Sequence, residues 1–69
     1  MRELDFEKLR LKMKSARVGA GLTQDDVAEK LGIHRQTIVN WENHPEKMSF
    51  EKLKVLANLY GITSTDFFM

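Results

Sequence analysis

Residues 21–43 read "GLTQDDVAEKLGIHRQTIVNWEN", and the parsing of this stretch decides the fold. Apolar positions recur at helical spacing twice, as Val27, Ala28 and Leu31 and then as Ile38 and Trp41. Little more than Gly32 and Ile33 separates the two sets. So short a connection forces a sharp crossing, and helices that cross sharply approach closely at one point. Ala28 stands one turn before Gly32, where a larger side chain would hold the second helix away. That second helix has few anchors. Ile38 and Trp41 face inward, Val39 lies off their line, and the other side carries Arg35, Gln36 and Asn40, whose side chains make forked hydrogen bonds. Such a face is either ordinary solvated surface or surface held out to touch something.

Working outward, one start signal recurs. An apolar residue, a capping residue and a second apolar residue four positions after the cap mark a helix N-terminus, because the apolar pair clasps while the cap accepts from a free backbone N–H. The chain shows this spacing in "LDFEKL", "LTQDDV", "IHRQTI", "MSFEKL" and "ITSTDF", with Asp5, Thr23, His34, Ser49 and Thr63 as the caps. Histidine is the poor cap of the five. Gly21, Gly32 and Gly61 stand where helices 1, 2 and 4 would stop, and Pro45 in "NHPEKM" breaks the chain after helix 3. The expected helices span about 5–19, 24–31, 35–43, 50–60 and 64–69. Their inward faces add Phe6, Leu9, Met13, Ala16, Ala20, Leu53, Leu56, Ala57, Tyr60 and Phe67, with Leu22, Ile33, Phe50 and Ile62 filling joints. No strand pattern or low-complexity segment is present. The expectation is one all-α domain over residues 1–69, a compact five-helix bundle in which helices 2 and 3 form a helix-turn-helix.

The bulk numbers narrow the function classes. Sixty-nine residues lie near the lower size limit for an unstapled domain, and there is no cysteine to make a disulfide or thiolate site. His34 and His44 are the only histidines, so a metal site is not expected, nor any other cofactor. No apolar run approaches the roughly 20 residues that span a membrane, and "MRELDFEKLR" lacks the apolar core of a secretory signal. A cytoplasmic protein with no membrane contact is expected. Net charge is +1, distributed as six Lys/Arg against three acids in residues 1–20, two against four in 21–44 and three against three in 45–69. A basic first segment is more often a solvated helix face than a phosphate-binding one. No nucleophile stands beside a base and no glycine-rich phosphate loop occurs, so an enzyme is not expected. No small-molecule effector pocket is expected within these residues.

With these residues in place, the chain resembles the phage Cro and repressor type of helix-turn-helix protein, also called XRE-type or lambda-repressor-like. The resemblance covers residues 16–68 and rests on "GLTQDDVAEKLGI", "TIVNWEN" and "SFEKLKVLANLYGI" in that order. It implies a five-helix domain that binds double-stranded DNA and regulates transcription, with repression the expected mode. It also gives the polar side of helix 3 a partner, since base edges and phosphates would complete it.

Arg35 and Gln36 then open the recognition helix, where arginine can donate twice to guanine and glutamine can pair with adenine. Asn40 lies one turn further along, and Thr37 is placed for a phosphate or a thymine methyl. Gln24 follows the Thr23 cap at the positive end of helix 2; the resemblance implies that it contacts phosphate and braces the recognition helix. It also implies a phosphate contact for Asn43, for which a helix C-cap is the structural alternative. His34 could cap, bind phosphate or do neither. Lys47, Arg10 and Lys14 are weaker backbone candidates. By the same resemblance Arg17 and Glu42 form a structural ion pair tying helix 1 to the end of helix 3. Phe68 and Met69 are surplus apolar groups that suggest a homodimer contact on a near-palindromic operator. The competing reading is a protein-interaction module of the same fold, such as an antitoxin or a regulator-binding domain, with little DNA binding of its own.

Overall fold

Three runs of glycine, apolar residue and cap punctuate the chain: Gly21-Leu22-Thr23, Gly32-Ile33-His34 and Gly61-Ile62-Thr63. In the computed structural model, which describes residues 5–69, each run ends one helical segment and begins the next. The glycines take φ of 76°, 67° and 77°, left-handed values that a side chain would oppose. That turn lets the next N–H reach back five residues, from Leu22 to the Arg17 carbonyl, from Ile33 to Ala28 and from Ile62 to Ala57, which satisfies a carbonyl the helix leaves open. The same apolar residue then packs on the core ahead of the following cap. Stop and start signals are therefore one device, and it leaves almost no loop.

The resulting elements are α1 (Phe6–Gly19), α2 (Gln24–Leu31), α3 (Arg35–Asn43), a 3-10 turn (Pro45–Lys47), α4 (Phe50–Tyr60) and a 3-10 segment (Ser64–Phe68). Asp5 accepts from the Lys8 N–H at 3.1 Å and Ser49 from the Lys52 N–H at 3.2 Å. Thr23 and Asp26 exchange bonds of 3.0 and 2.8 Å, closing a box that spares two donors at the start of α2. The Thr23 backbone N–H, and then its hydroxyl, hold the Asp26 carboxyl below its ordinary value. His34 occupies the N-cap position of α3 without a side-chain bond. Leu4, the first half of the clasp expected before α1, lies outside the described residues.

The core is Leu9 and Met13 from α1, Val27 and Ala28 from α2, Ile38 from α3, Leu53, Leu56, Ala57 and Tyr60 from α4, and Phe67. Ala16, Leu22, Leu31, Ile33, Trp41, Met48, Leu59 and Ile62 pack around it. Met13, Val27, Ile38 and Leu56 are wholly sealed from solvent, and each such side chain contributes roughly 1.5–3 kcal/mol of burial. α2 and α3 lie against each other, while α1 meets α3, α4 and both 3-10 segments. No helix among the described residues is long and apolar enough to cross a membrane.

Two expectations are corrected. The described residues hold four α-helices rather than five, because Ser64–Phe68 is a 3-10 helix. Five residues give too few i→i−4 bonds to sustain an α-helix, and here the Asp66 N–H reaches the Thr63 carbonyl at 3.0 Å while the Asp66 carboxylate accepts from the Thr63 N–H at 2.9 Å. Phe67 is nevertheless buried as expected. Phe6 and Ala20, expected to face inward, and Phe50, expected to fill a joint, are exposed. Phe6 and Phe50 are first residues of their helices, beyond the layer the core fills. Met48 takes the joint meant for Phe50, whose ring lies beside the Lys54 ammonium, 5.7 Å from its centroid.

Candidate functional site

The two sides of α3 have opposite fates. Ile38 is sealed inside and Trp41 packs on the core with the Lys52 ammonium 5.6 Å from its ring. Arg35, Gln36 and Asn40 are exposed, and Thr37 and Val39 are half-buried between the two sides. Gln36 donates from its side-chain amide to the Asn40 carbonyl oxygen at 3.1 Å. This i,i+4 bond fixes both side chains while leaving Gln36 its own carbonyl oxygen and a second N–H, the pair that adenine requires.

Behind this face runs a chain of polar contacts linking α1, α2 and α3. Arg17 grips Glu42 with two bonds, Nε to Oε2 at 2.6 Å and Nη2 to Oε1 at 3.3 Å, and its Nη1 donates to the Leu22 carbonyl at 2.9 Å. Both residues are 7% exposed. Gln24 then bridges outward: its Nε2 donates to Glu42 Oε1 at 3.1 Å and its Oε1 accepts from Arg35 Nη2 at 3.3 Å. The Arg35 Nε also lies 3.4 Å from Asp25 Oδ1. A buried ion pair therefore positions a glutamine, and the glutamine positions an arginine on the open face. Arg17, Leu22, Gln24, Asp25 and Arg35 line one side of an open cleft of about 440 Å³ at the start of α2.

Arg35, Gln24, Arg17 and Glu42 are thus brought together, and Gln36 and Asn40 form a second pair on the same helix. His34 is exposed at the N-cap of α3, and Asn43 is exposed as its last residue. Among the described residues no hydrogen bond or ion pair joins Lys47, Arg10 or Lys14 to this network. Lys47 is exposed in the turn after α3, Arg10 is half-buried on α1 and Lys14 is exposed there. Phe68 and Met69 are 45% and 71% exposed at the far end of the chain, with Phe68 beside Phe6.

Three features were missed from the sequence. Asp25 is drawn to Arg35, and the signal available was an acid directly after the glutamine that meets α3. Lys52 over Trp41 joins α4 to α3 and had no local signature. Leu11 and Val18, exposed at 65% and 58%, stand two turns apart on α1.

Against known proteins, the model of a helix-turn-helix family matches residues 13–68, which spans every element just described from the middle of α1 onward. The chain belongs to the XRE/Cro-type helix-turn-helix family. Among its relatives in this family is the HTH-type transcriptional regulator ImmR of Bacillus subtilis, 38% identical over 58 residues, which cover 84% of this chain and 45% of that protein. An uncharacterized HTH-type transcriptional regulator of Methanocaldococcus jannaschii is 36% identical over 58 residues, covering 84% of this chain and 88% of the relative. Antitoxin HipB of Escherichia coli is 42% identical over 48 residues, covering 68% and 51% respectively. The chain spans about half the length of ImmR and of HipB. No solved structure gives a significant match. The matched residues include α2 and α3, the two helices joined at Gly32.

Proposed function

We propose that the chain binds double-stranded DNA sequence-specifically, with α3 in the major groove, and that it regulates transcription in the cytoplasm as a repressor. The observation that carries this reading is the outer face of α3. Ile38 and Trp41 give that helix its hold on the core, while Arg35, Gln36 and Asn40 stand exposed with their forks fixed by neighbours. Arg35 and Gln36 read base edges, Asn40 extends the contact and Thr37 meets a phosphate or a thymine methyl. Gln24, Asn43 and His34 contact the backbone, with Lys47, Arg10 and Lys14 at the margins. The work is binding, not catalysis, and needs no cofactor.

One recognition helix covers a few base pairs, so two copies on half-sites about one helical turn apart make the operator. Exposed Phe68, beside Phe6, and exposed Met69 are the dimer contact in this reading. Selection of bound duplexes from a random pool at about 150 mM salt, where non-specific binding is largely suppressed, tests the whole proposal. An enriched near-palindrome supports a dimer on an operator. A single enriched half-site keeps the DNA reading and removes the dimer. No enrichment, from folded protein, removes both.

A second reading keeps the fold and gives α3 a protein partner. Half-buried Val39 on the recognition helix, near-neutral charge and the likeness to an antitoxin favour it. It predicts binding indifferent to Arg35→Ala.

A further inference from the structure

We propose that Asp25 is a specificity-determining residue: by holding the Nε side of Arg35 it aims the guanidinium outward and suppresses binding to non-cognate DNA. This rests on the DNA-binding reading above. Arginine presents two usable edges, a side edge formed by Nε and Nη2 and an end edge formed by Nη1 and Nη2. Here the side edge faces two acceptors, one in ion-pair contact and one hydrogen-bonded. Asp25 Oδ1 stands 3.4 Å from Nε, and Gln24 Oε1 accepts from Nη2 at 3.3 Å. The end edge remains for the two acceptors that guanine offers in the major groove.

The exposure of the pair gives this arrangement its consequence. Arg35 and Asp25 are 59% and 78% exposed, so their attraction is weak and exchangeable. A phosphate oxygen that approaches Arg35 must compete with the Asp25 carboxylate and is repelled by it. A guanine edge meets the end of the fork without displacing Asp25. The carboxylate therefore discriminates between the two partners of the same arginine, lowering backbone binding common to all sequences and sparing base readout. Asp26, next in sequence, has a different task, because its carboxylate is committed to the Thr23 N–H.

The test compares Asp25→Asn with Glu7→Gln, which removes the same charge from the exposed first turn of α1. Binding to a labelled mixed-sequence duplex is measured by anisotropy over a salt series, in the parent and in an Arg35→Ala background. Asp25→Asn is expected to tighten mixed-sequence binding about two- to fivefold at low salt, the range set by an exposed pair. It also steepens the logarithmic salt dependence by about 0.9, as one released cation begins to engage phosphate. The ratio of affinities for the selected and mixed duplexes falls. Both effects vanish when Arg35 is alanine, and Glu7→Gln shows neither. An Asp25→Asn protein that behaves like Glu7→Gln, or whose gain persists without Arg35, overturns the proposal while leaving DNA binding intact. A parent that binds no duplex at any salt overturns the DNA reading and this proposal with it.

Discussion

Two arginine–carboxylate pairs sit at opposite ends of one glutamine, with the same chemistry and opposite settings. Arg17 and Glu42 are buried, joined by two bonds with the shorter at 2.6 Å, and capped on the third side by a backbone carbonyl. Arg35 and Asp25 are open to water and approach only to 3.4 Å. Gln24 touches both pairs. Burial makes the first pair costly to separate, because either charge left alone inside is desolvated without compensation. Exposure makes the second pair replaceable, because water or a ligand can take either partner's place at little cost. The first ties α1 to the end of α3; the second leaves Arg35 accessible on the open face of α3.

Glu42→Ala is expected to break this contrast most severely. It strands the Arg17 guanidinium and removes the acceptor for Gln24, at a cost of about 3–5 kcal/mol in urea unfolding. For a chain of this size that is a large part of the whole stability. Arg35→Ala should do the reverse, costing about 1–3 kcal/mol of affinity for a selected duplex and relaxing preference at one base. Its unfolding midpoint should stay within the roughly 0.5 kcal/mol typical of exposed positions. A stability loss in Arg35→Ala as large as that of Glu42→Ala would erase the distinction between the pairs.

Gln24→Ala tests the bridge. Loss of its part-buried bond to Glu42 should lower stability by about 0.5–1.5 kcal/mol, and binding to selected and mixed duplexes should weaken nearly equally. A change in only one of these readouts would mean that Gln24 serves one pair and not both.

Tyr60 gives the smallest effect and a pH dependence. Burial first, and then the Glu42 charge, push its phenol up to about 12, against an opposing pull from Arg17. The folded state thus keeps the proton that the unfolded chain gives up near 10. That contribution to stability is fully present below pH 10 and is lost as pH rises through about 12. Among the described residues its hydroxyl finds no hydrogen-bond partner. Tyr60→Phe should therefore leave stability at neutral pH within about 1 kcal/mol and flatten the alkaline limb of the profile.

Much of the fold was legible because its signals are local. Asp5, Thr23 and Ser49 cap the helices they precede, and Gly21, Gly32 and Gly61 turn left-handed where the periodicity stops. The last segment misled because "ITSTDF" carries the same start signal, while the stretch from Ser64 to Phe68 is too short to become an α-helix. Phe50 misled for another reason: a helix start shows which residues are apolar but not which of two neighbours, Met48 or Phe50, fills the joint. The polar face of α3 was legible from Arg35, Gln36 and Asn40. The Lys52–Trp41 contact joins residues that only the packing of helices brings together, so no spacing announces it.

The most direct test is to add a selected duplex to isotopically labelled protein and follow its backbone and side-chain N–H signals. Contact through α3 predicts large shifts at Arg35 Nε and at the Gln24, Gln36 and Asn40 amides, with Arg17 Nε held in place by Glu42. Shifts confined to the Leu11–Val18 face of α1 or to Phe68 and Met69, with α3 unmoved, would contradict it.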